Sequence, residues 1–231
     1  MSFDGKVAIV TGASRGLGKA SAIVLARNGA KVACIARDTE KLAETVAEAT
    51  EIGGQVEAFA CDVHDRKSVD ALVDRIAAQW KRLDILVNNA GVTRDTLLPR
   101  MSDEQWDEVI DVDLTGSFNS IQAVVDHMMQ RGSGSIVNVS SVSGIYGNVG
   151  QVNYSAAKAG ESEPWNGSRC ARTWAPSRRY HIAEPSDDLL PLIRYRAADR
   201  AGDSIRAEGG CKAGPGGARP SRRPRPADVR E

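Results

Sequence analysis

Residues 1–160 predict a doubly wound α/β domain built on a parallel sheet, and three observations carry that prediction. A short apolar run, Val7-Ala8-Ile9-Val10, passes through a glycine-rich turn into residues 20–26, apolar at helical spacing, which reads as strand, turn and helix. Strand-like runs then alternate with amphipathic stretches, the pattern of parallel strands joined by crossover helices. Further on, the apolar run Ile136-Val137-Asn138-Val139 ends in Ser140-Ser141, where a parallel strand delivers a hydroxyl to the carboxyl edge of its sheet. Ligands collect at that edge.

The first turn is Thr11-Gly12-Ala13-Ser14-Arg15-Gly16-Leu17-Gly18. Gly12, Gly16 and Gly18 allow a tight turn and a close approach to a pyrophosphate, whose charge the first amides of the following helix then hold. Ser14, Arg15 and Leu17 belong to the same candidate binding turn. The next strand, Lys31 to Ala36, ends where a fold that uses NAD usually carries an acid for the ribose 2′-hydroxyl. Ala36 and Arg37 stand there instead. An arginine suits a 2′-phosphate, with Arg15 as a second cation, so NADP(H) is the expected cofactor. The alternative is that Arg37 is an ordinary surface arginine opening a loop.

Residues 40–50 carry Leu42, Val46 and Ala49 at a spacing near that of a helix, with charges mostly between them, and predict a covering helix. The strand Val56 to Val63 ends at Asp62-Val63, and Asp62 is able to cap a helix starting near Arg66. Residues 69–80 repeat the amphipathic pattern through Leu72, Val73 and Ile76, and Leu83 to Asn89 returns to strand. Asn89-Ala90-Gly91 closes that strand and is also ordinary turn chemistry. Residues 103–130 read as one long helix whose stripe, Trp106, Val109, Ile110, Leu114, Phe118, Ile121 and Val125, is assigned to the core.

The chemistry is expected in the run Gly150 to Gly160, where Tyr154 and Lys158 sit four apart. On a helix that spacing puts both side chains on one face, so an ammonium lies beside a phenol and favours its ionised form. Such pairs are common on any helix. Ser141, thirteen residues upstream at the sheet edge, adds a hydroxyl and turns the pair into a candidate proton donor.

Formal charge is zero, with pI near 6.8, which gives no overall pull toward nucleic acid or an anionic membrane. The balance is uneven: residues 1–160 hold 16 Lys and Arg against 20 Asp and Glu, and residues 161–231 hold 14 against 10. Cys34, Cys61, Cys170 and Cys211 lack paired metal spacing and read as structural, reduced thiols. His64, His127 and His181 are scattered without ligand spacing, and no metal site is expected. No apolar signal segment precedes Lys6, and no apolar run approaches the roughly 18 residues of a membrane span, so the chain is expected in the cytosol.

Through the glycine turn, Asn88-Asn89-Ala90-Gly91, Ser141 and the Tyr154/Lys158 pair, the chain resembles the short-chain dehydrogenase/reductase family. Within it, Gly91-Val92-Thr93-Arg94-Asp95-Thr96-Leu97-Leu98 and residues 151–160 are similar to the beta-ketoacyl-(acyl carrier protein) reductases of fatty acid synthesis. The resemblance covers residues 1 to about 160. It implies a Rossmann fold and hydride transfer from NADPH to a 3-oxoacyl thioester on acyl carrier protein or coenzyme A. Ser141 would bond the substrate oxygen, Tyr154 would protonate it, and Lys158 would hold the nicotinamide ribose. The resemblance also places Asp62 and Val63 beside the adenine and Asn89, Ala90 and Gly91 beside the cofactor. It implies a tetramer, with residues 103–130 supplying a dimer surface. Asp113 departs from the family, which carries an asparagine there to hold a water that relays protons to the lysine. A carboxylate holds a water too, but it also pulls on the lysine charge, and Asp113→Asn is expected to leave turnover unchanged or raise it.

After Gly160 the pattern breaks. Eight of nine prolines lie beyond it, arginine outnumbers lysine thirteen to one, and apolar periodicity is confined to Leu189 to Ile193. The tail is expected to be atypical or disordered. Cys170-Ala171-Arg172-Thr173-Trp174-Ala175 is encodable as TGC GCG AGA ACT TGG GCN, and reading one nucleotide later gives Ala-Arg-Glu-Leu-Gly, similar to the family's next helix. A displaced reading frame near residue 160 is therefore expected, which would leave either a working reductase or an inactive relic that keeps the cofactor turn. The alternative is an evolved basic extension whose Arg219 to Pro226 segment touches nucleic acid.

Overall fold

The computed structural model describes residues 2–162 and 181–182. Six parallel strands, β1 (Val7–Thr11), β2 (Lys31–Ala36), β3 (Gln55–Ala60), β4 (Ile85–Asn88), β5 (Ser135–Asn138) and β6 (His181–Ile182), lie in the order β3-β2-β1-β4-β5-β6. The expected doubly wound sheet is therefore present. Its switch point lies between β1 and β4, paired through Ala8↔Ile85 and Val10↔Val87, where strand order reverses, the place at which open parallel sheets bind ligands beyond their carboxyl ends.

Alternation within the strands builds two cores. Val7, Ile9, Ala33, Ile35 and Leu86 face one way, against Val69, Val73 and Ile76 of α3 (Arg66–Trp80) and Val124 and Met128 of α5 (Gly116–Arg131). Ala8, Val10, Val32 and Cys34 face the other, against Ala22, Leu25 and Ala26 of α1 (Gly16–Arg27) and Leu42 and Ala49 of α2 (Thr39–Glu51). A sheet buried on both faces needs apolar residues at consecutive positions, which these strands supply. Cys34 and Cys61 are buried free thiols; burial pushes Cys34 up to about 12 and Cys61 up to about 11, so both are poor nucleophiles.

Three expectations are corrected. Residues 103–130 are not one helix: α4 (Asp103–Val109) leads into a π-helical stretch, Ile110–Thr115, before α5 begins. Extra residues in a wide turn re-aim side chains, and Asp113 sits in this one. The stripe is also not all core. Val109 and Ile121 are buried, whereas Trp106 and Phe118 are exposed. Asp62 does not cap α3; that place belongs to Asp65, whose carboxylate accepts from the Lys67 and Ser68 amides. Asp62 instead accepts from the His64 amide at 3.1 Å, closing a local turn. Beyond Gly160 the described residues are the end of α7 (Val152–Ser162) and β6, which pairs with β5 through Val137↔His181 and Asn138↔Ile182. Cys170, Cys211, the Leu189 to Ile193 patch and the basic Arg219 to Pro226 segment lie outside the described residues.

Candidate active site

At the switch point glycines let backbone segments approach closely and one threonine braces them. Thr11, the last residue of β1, accepts from the Asn89 and Ala90 amides at 3.0 and 3.1 Å, and Asn89 Nδ2 donates to the Thr11 and Gly12 carbonyls at 3.1 and 3.2 Å. The predicted turn and Asn89-Ala90-Gly91 are thus joined across the reversal point. Gly18 lets α1 approach this knot, since a Cβ there would run into the Gly12 carbonyl and the Asn89 amide. Gly16, at φ +56°, begins α1 and faces open space, so the first helical amides look out beside Ser14 and Leu17. Arg15 precedes them as N-cap and is exposed. An open glycine cradle at a helix start, with exposed guanidiniums nearby, fits a dinucleotide pyrophosphate.

Arg37 lies just past β2 and is exposed, with Nη1 3.7 Å from Asp62 Oδ2, so the two residues expected around the adenosine end do meet. Val63 beside them is buried; its carbonyl accepts from Asn119 Nδ2 at 3.0 Å and its side chain packs on Gly116.

The candidate catalytic residues come from the chain just beyond β5 and from α7. Ser141 is the N-cap of a short helix, α6 (Val142–Tyr146), and its Oγ accepts from the Ser143 amide at 3.2 Å. Its neighbour Ser140 donates to the Lys158 carbonyl at 2.8 Å, which ties the end of β5 to α7. Gly144 brings α6 equally close, as a Cβ there would lie 2.7 Å from the Lys158 carbonyl carbon. Lys158 Nζ lies 5.7 Å from the Tyr154 ring centroid, so the four-residue spacing does place cation and ring together. Asn153, fully buried, donates through Nδ2 to the Arg94 and Gln105 carbonyls at 3.2 and 2.9 Å while its Oδ1 accepts from the Tyr154 amide at 2.8 Å.

Lys158 is itself buried, and two carboxylates share it. Glu161 Oε2 lies 2.7 Å from Nζ and Asp113 Oδ2 lies 3.6 Å away; the Val139 carbonyl accepts from Nζ at 3.2 Å. Ser117 donates to the other Glu161 oxygen at 2.7 Å, and the Val92 amide donates to Asp113 Oδ1 at 2.7 Å. Asp113 Oδ2 is buried with no hydrogen-bond partner, facing Gly91. Burial works against the Lys158 charge, yet the Glu161 and Asp113 carboxylates outweigh it and hold the ammonium above the ordinary lysine range. Burial dominates for both carboxylates, which are raised. One cation between two buried anions leaves a negative charge in excess, and the site therefore keeps a proton more readily than water does.

Glu161, Ser117, Asn153 and Thr11 were not legible as site residues. For Glu161 a signal did exist: an acid three residues after Lys158 shares its helix face.

A parallel sheet with a glycine-lined switch point, a serine at the β5 edge and a tyrosine and lysine on one helix face define a nucleotide-binding oxidoreductase-like class. The family model described as short chain dehydrogenase matches residues 6–163, and the chain belongs to that family. It is 48% identical over 160 residues to the 3-oxoacyl-(acyl-carrier-protein) reductase FabG of Thermotoga maritima, covering 69% of this chain and 65% of that protein. The chain thus spans 65% of the length of that relative. It is 49% identical over 220 residues to the 3-oxoacyl-(acyl-carrier-protein) reductase of Synechocystis sp., covering 89% of each. Among solved structures it is similar to a metagenomic short-chain oxidoreductase in complex with NADP, with a TM-score of 0.75 and 34% identity, covering 81% of this chain and 85% of that one.

Proposed function

We propose that this chain reduces a 3-oxoacyl thioester, carried on acyl carrier protein or coenzyme A, to the 3-hydroxyacyl thioester with NADPH, a reaction of fatty acid synthesis. The reading rests on one observation: the Tyr154 ring and the Lys158 ammonium lie 5.7 Å apart on a helix that Ser140 ties to the β5 edge. The 3-oxoacyl-(acyl-carrier-protein) reductases among its relatives support the substrate class. Arg15 and Arg37, and the NADP-bound neighbour, support NADPH over NADH.

Gly12, Gly16 and Gly18 would cradle the pyrophosphate, Arg15 and Arg37 the 2′-phosphate, and Lys158 the nicotinamide ribose. When bound, a reduced nicotinamide supplies hydride to the ketone carbon. Tyr154 gives its phenolic proton to the ketone oxygen, and the Lys158 cation stabilises the charge left behind. Ser141 already accepts from the Ser143 amide, which leaves its own hydroxyl proton free to bond the same oxygen. Positioned proton transfer contributes about 10²–10⁴-fold, so Tyr154→Phe lowers turnover by that much and leaves NADPH affinity near wild type. The assay is NADPH oxidation by the full chain with a 3-oxoacyl thioester, repeated with NADH. Substantial residual turnover in the Phe variant sinks the assignment, and a preference for NADH removes the role given to Arg37.

A second reading is an NADP-binding relic without turnover, favoured by the grip of Glu161 on Lys158. Cofactor binding without 3-oxoacyl reduction in the same assay would support it. We also propose that residues 161–231 arise from a displaced reading frame. The Synechocystis match, which reaches beyond residue 163, weighs against this, and sequencing the coding DNA decides it.

A further inference from the structure

Among the described residues the ammonium of Lys158 donates two hydrogen bonds, to Glu161 Oε2 at 2.7 Å and to the Val139 carbonyl at 3.2 Å, and a third oxygen, Asp113 Oδ2, lies 3.6 Å away as an ion-pair neighbour beyond hydrogen-bond reach. Of the three, the Glu161 contact is the shortest and the best supported. Glu161 is buried, sits one helical turn beyond Lys158, and is locked by the Ser117 hydroxyl on its second oxygen. Asp113 is fixed differently, by the Val92 amide, and points its partnerless oxygen toward the same ammonium from farther away.

We infer that Glu161 is a positioning residue that competes with the bound cofactor for the Lys158 ammonium, so that NADPH binds fully only when this ion pair opens. The inference rests on Lys158 as the cation that faces the cofactor. Opening the pair exchanges one buried charge-assisted hydrogen bond for another, and the cofactor must displace the carboxylate first. Affinity measured for the whole chain is then lower than the site's own, by the fraction of molecules in which Lys158 is free.

The titratable groups facing this ammonium among the described residues are Glu161 and Tyr154 from α7 and Asp113 from the π-helical stretch; α5 offers the Ser117 hydroxyl and β5 the Val139 carbonyl beyond its end. Burial raises Glu161, so a falling pH protonates it and frees Lys158.

The test measures NADPH affinity by fluorescence, without substrate, in the full chain and in Glu161→Gln, Glu161→Leu and Lys158→Met. Removing a competing charged hydrogen bond strengthens binding by about tenfold in both Glu161 variants, and Lys158→Met weakens it. Wild-type affinity approaches that of Glu161→Gln as pH falls, a convergence that a merely structural role for Glu161 does not produce. Lys158→Met without effect overturns the cofactor-facing role of the lysine and this inference with it. Weakened binding in Lys158→Met, with unchanged or weaker binding in folded Glu161→Gln and Glu161→Leu, overturns the inference alone and leaves the reading of Lys158 standing.

Discussion

Replacing Asp113 by asparagine separates charge from shape at a fully buried position beside Lys158. The carboxylate lies 3.6 Å from Lys158 Nζ, an attraction of about 4–5 kcal/mol at an effective dielectric of about 20. Against it stands the cost of keeping a fully buried anion from water, several kcal/mol on the same scale. The two nearly cancel. Asparagine keeps the oxygen that accepts from Val92, and Glu161 keeps its contact with Lys158, so nothing else is lost. Asp113→Asn is therefore expected to change stability by less than about 1 kcal/mol at pH 7, measured by urea unfolding. The pH dependence has a definite sign. Burial raises the Asp113 carboxyl above its unfolded value, so the folded chain holds that proton while the unfolded chain releases it. Wild-type stability then falls as pH rises from the unfolded value, about 3.9, toward the folded one, and the cost persists above it. Asparagine has no proton to lose, so the variant gains on wild type across that range. A loss greater than about 3 kcal/mol at pH 7, or a difference that does not change with pH, would refute this balance.

Two further outcomes are expected. Gly18→Ala drives a methyl into the Gly12 carbonyl and the Asn89 amide, so it costs about 2 kcal/mol and abolishes NADPH binding; wild-type affinity in a folded variant would remove the cradle. Asp84→Asn removes a buried charge held by Arg82 at 2.6 and 2.7 Å, the Val7 amide at 2.9 Å, Lys6 at 3.4 Å and Arg131 at 3.6 Å. Burial pushes the Asp84 carboxyl up, but Arg82, the Val7 amide and Lys6 hold it below the ordinary range, so its contribution is present above about pH 4 and is lost as pH falls through the folded value. The variant loses about 2 kcal/mol at neutral pH, discounted because Arg82 and Lys6 are part solvated, and the gap to wild type closes in acid; thermal melts across pH follow it.

What could be read in advance was whatever repeats with a period. Strands buried on both faces announce themselves as runs such as Val32-Ala33-Cys34-Ile35, and a helix four residues apart in its chemistry announces Tyr154 and Lys158. Features fixed by a single tertiary contact were harder to see. The apolar spacing through Ile110 and Leu114 suits an uninterrupted helix, and nothing local in it marks the wide turn that aims Asp113 at Lys158. Asp62 and Asp65 are both good capping residues, and only the observed amide bonds choose between them. Glu161 lies at the point where the recognisable pattern ends and so carries no motif, yet its place one helical turn on brings its carboxylate 2.7 Å from the buried Lys158 ammonium. Likewise β6 is two residues long and recruited through its backbone, which leaves little trace in side-chain pattern.

The amide of Asn153 is one of several links between the Arg94 loop and the segment that carries Tyr154; the Thr96 amide donates to the Gly150 carbonyl and Gln151 Nε2 donates to Asp95 Oδ2. Asn153 grips the backbone of the Arg94 loop and of α4 with one end and, with the other, the main chain of the residue that carries the phenol. A load on the loop is therefore shared between this amide and those neighbouring bonds, and Asn153→Ala would remove one strand of the connection while leaving the others in place.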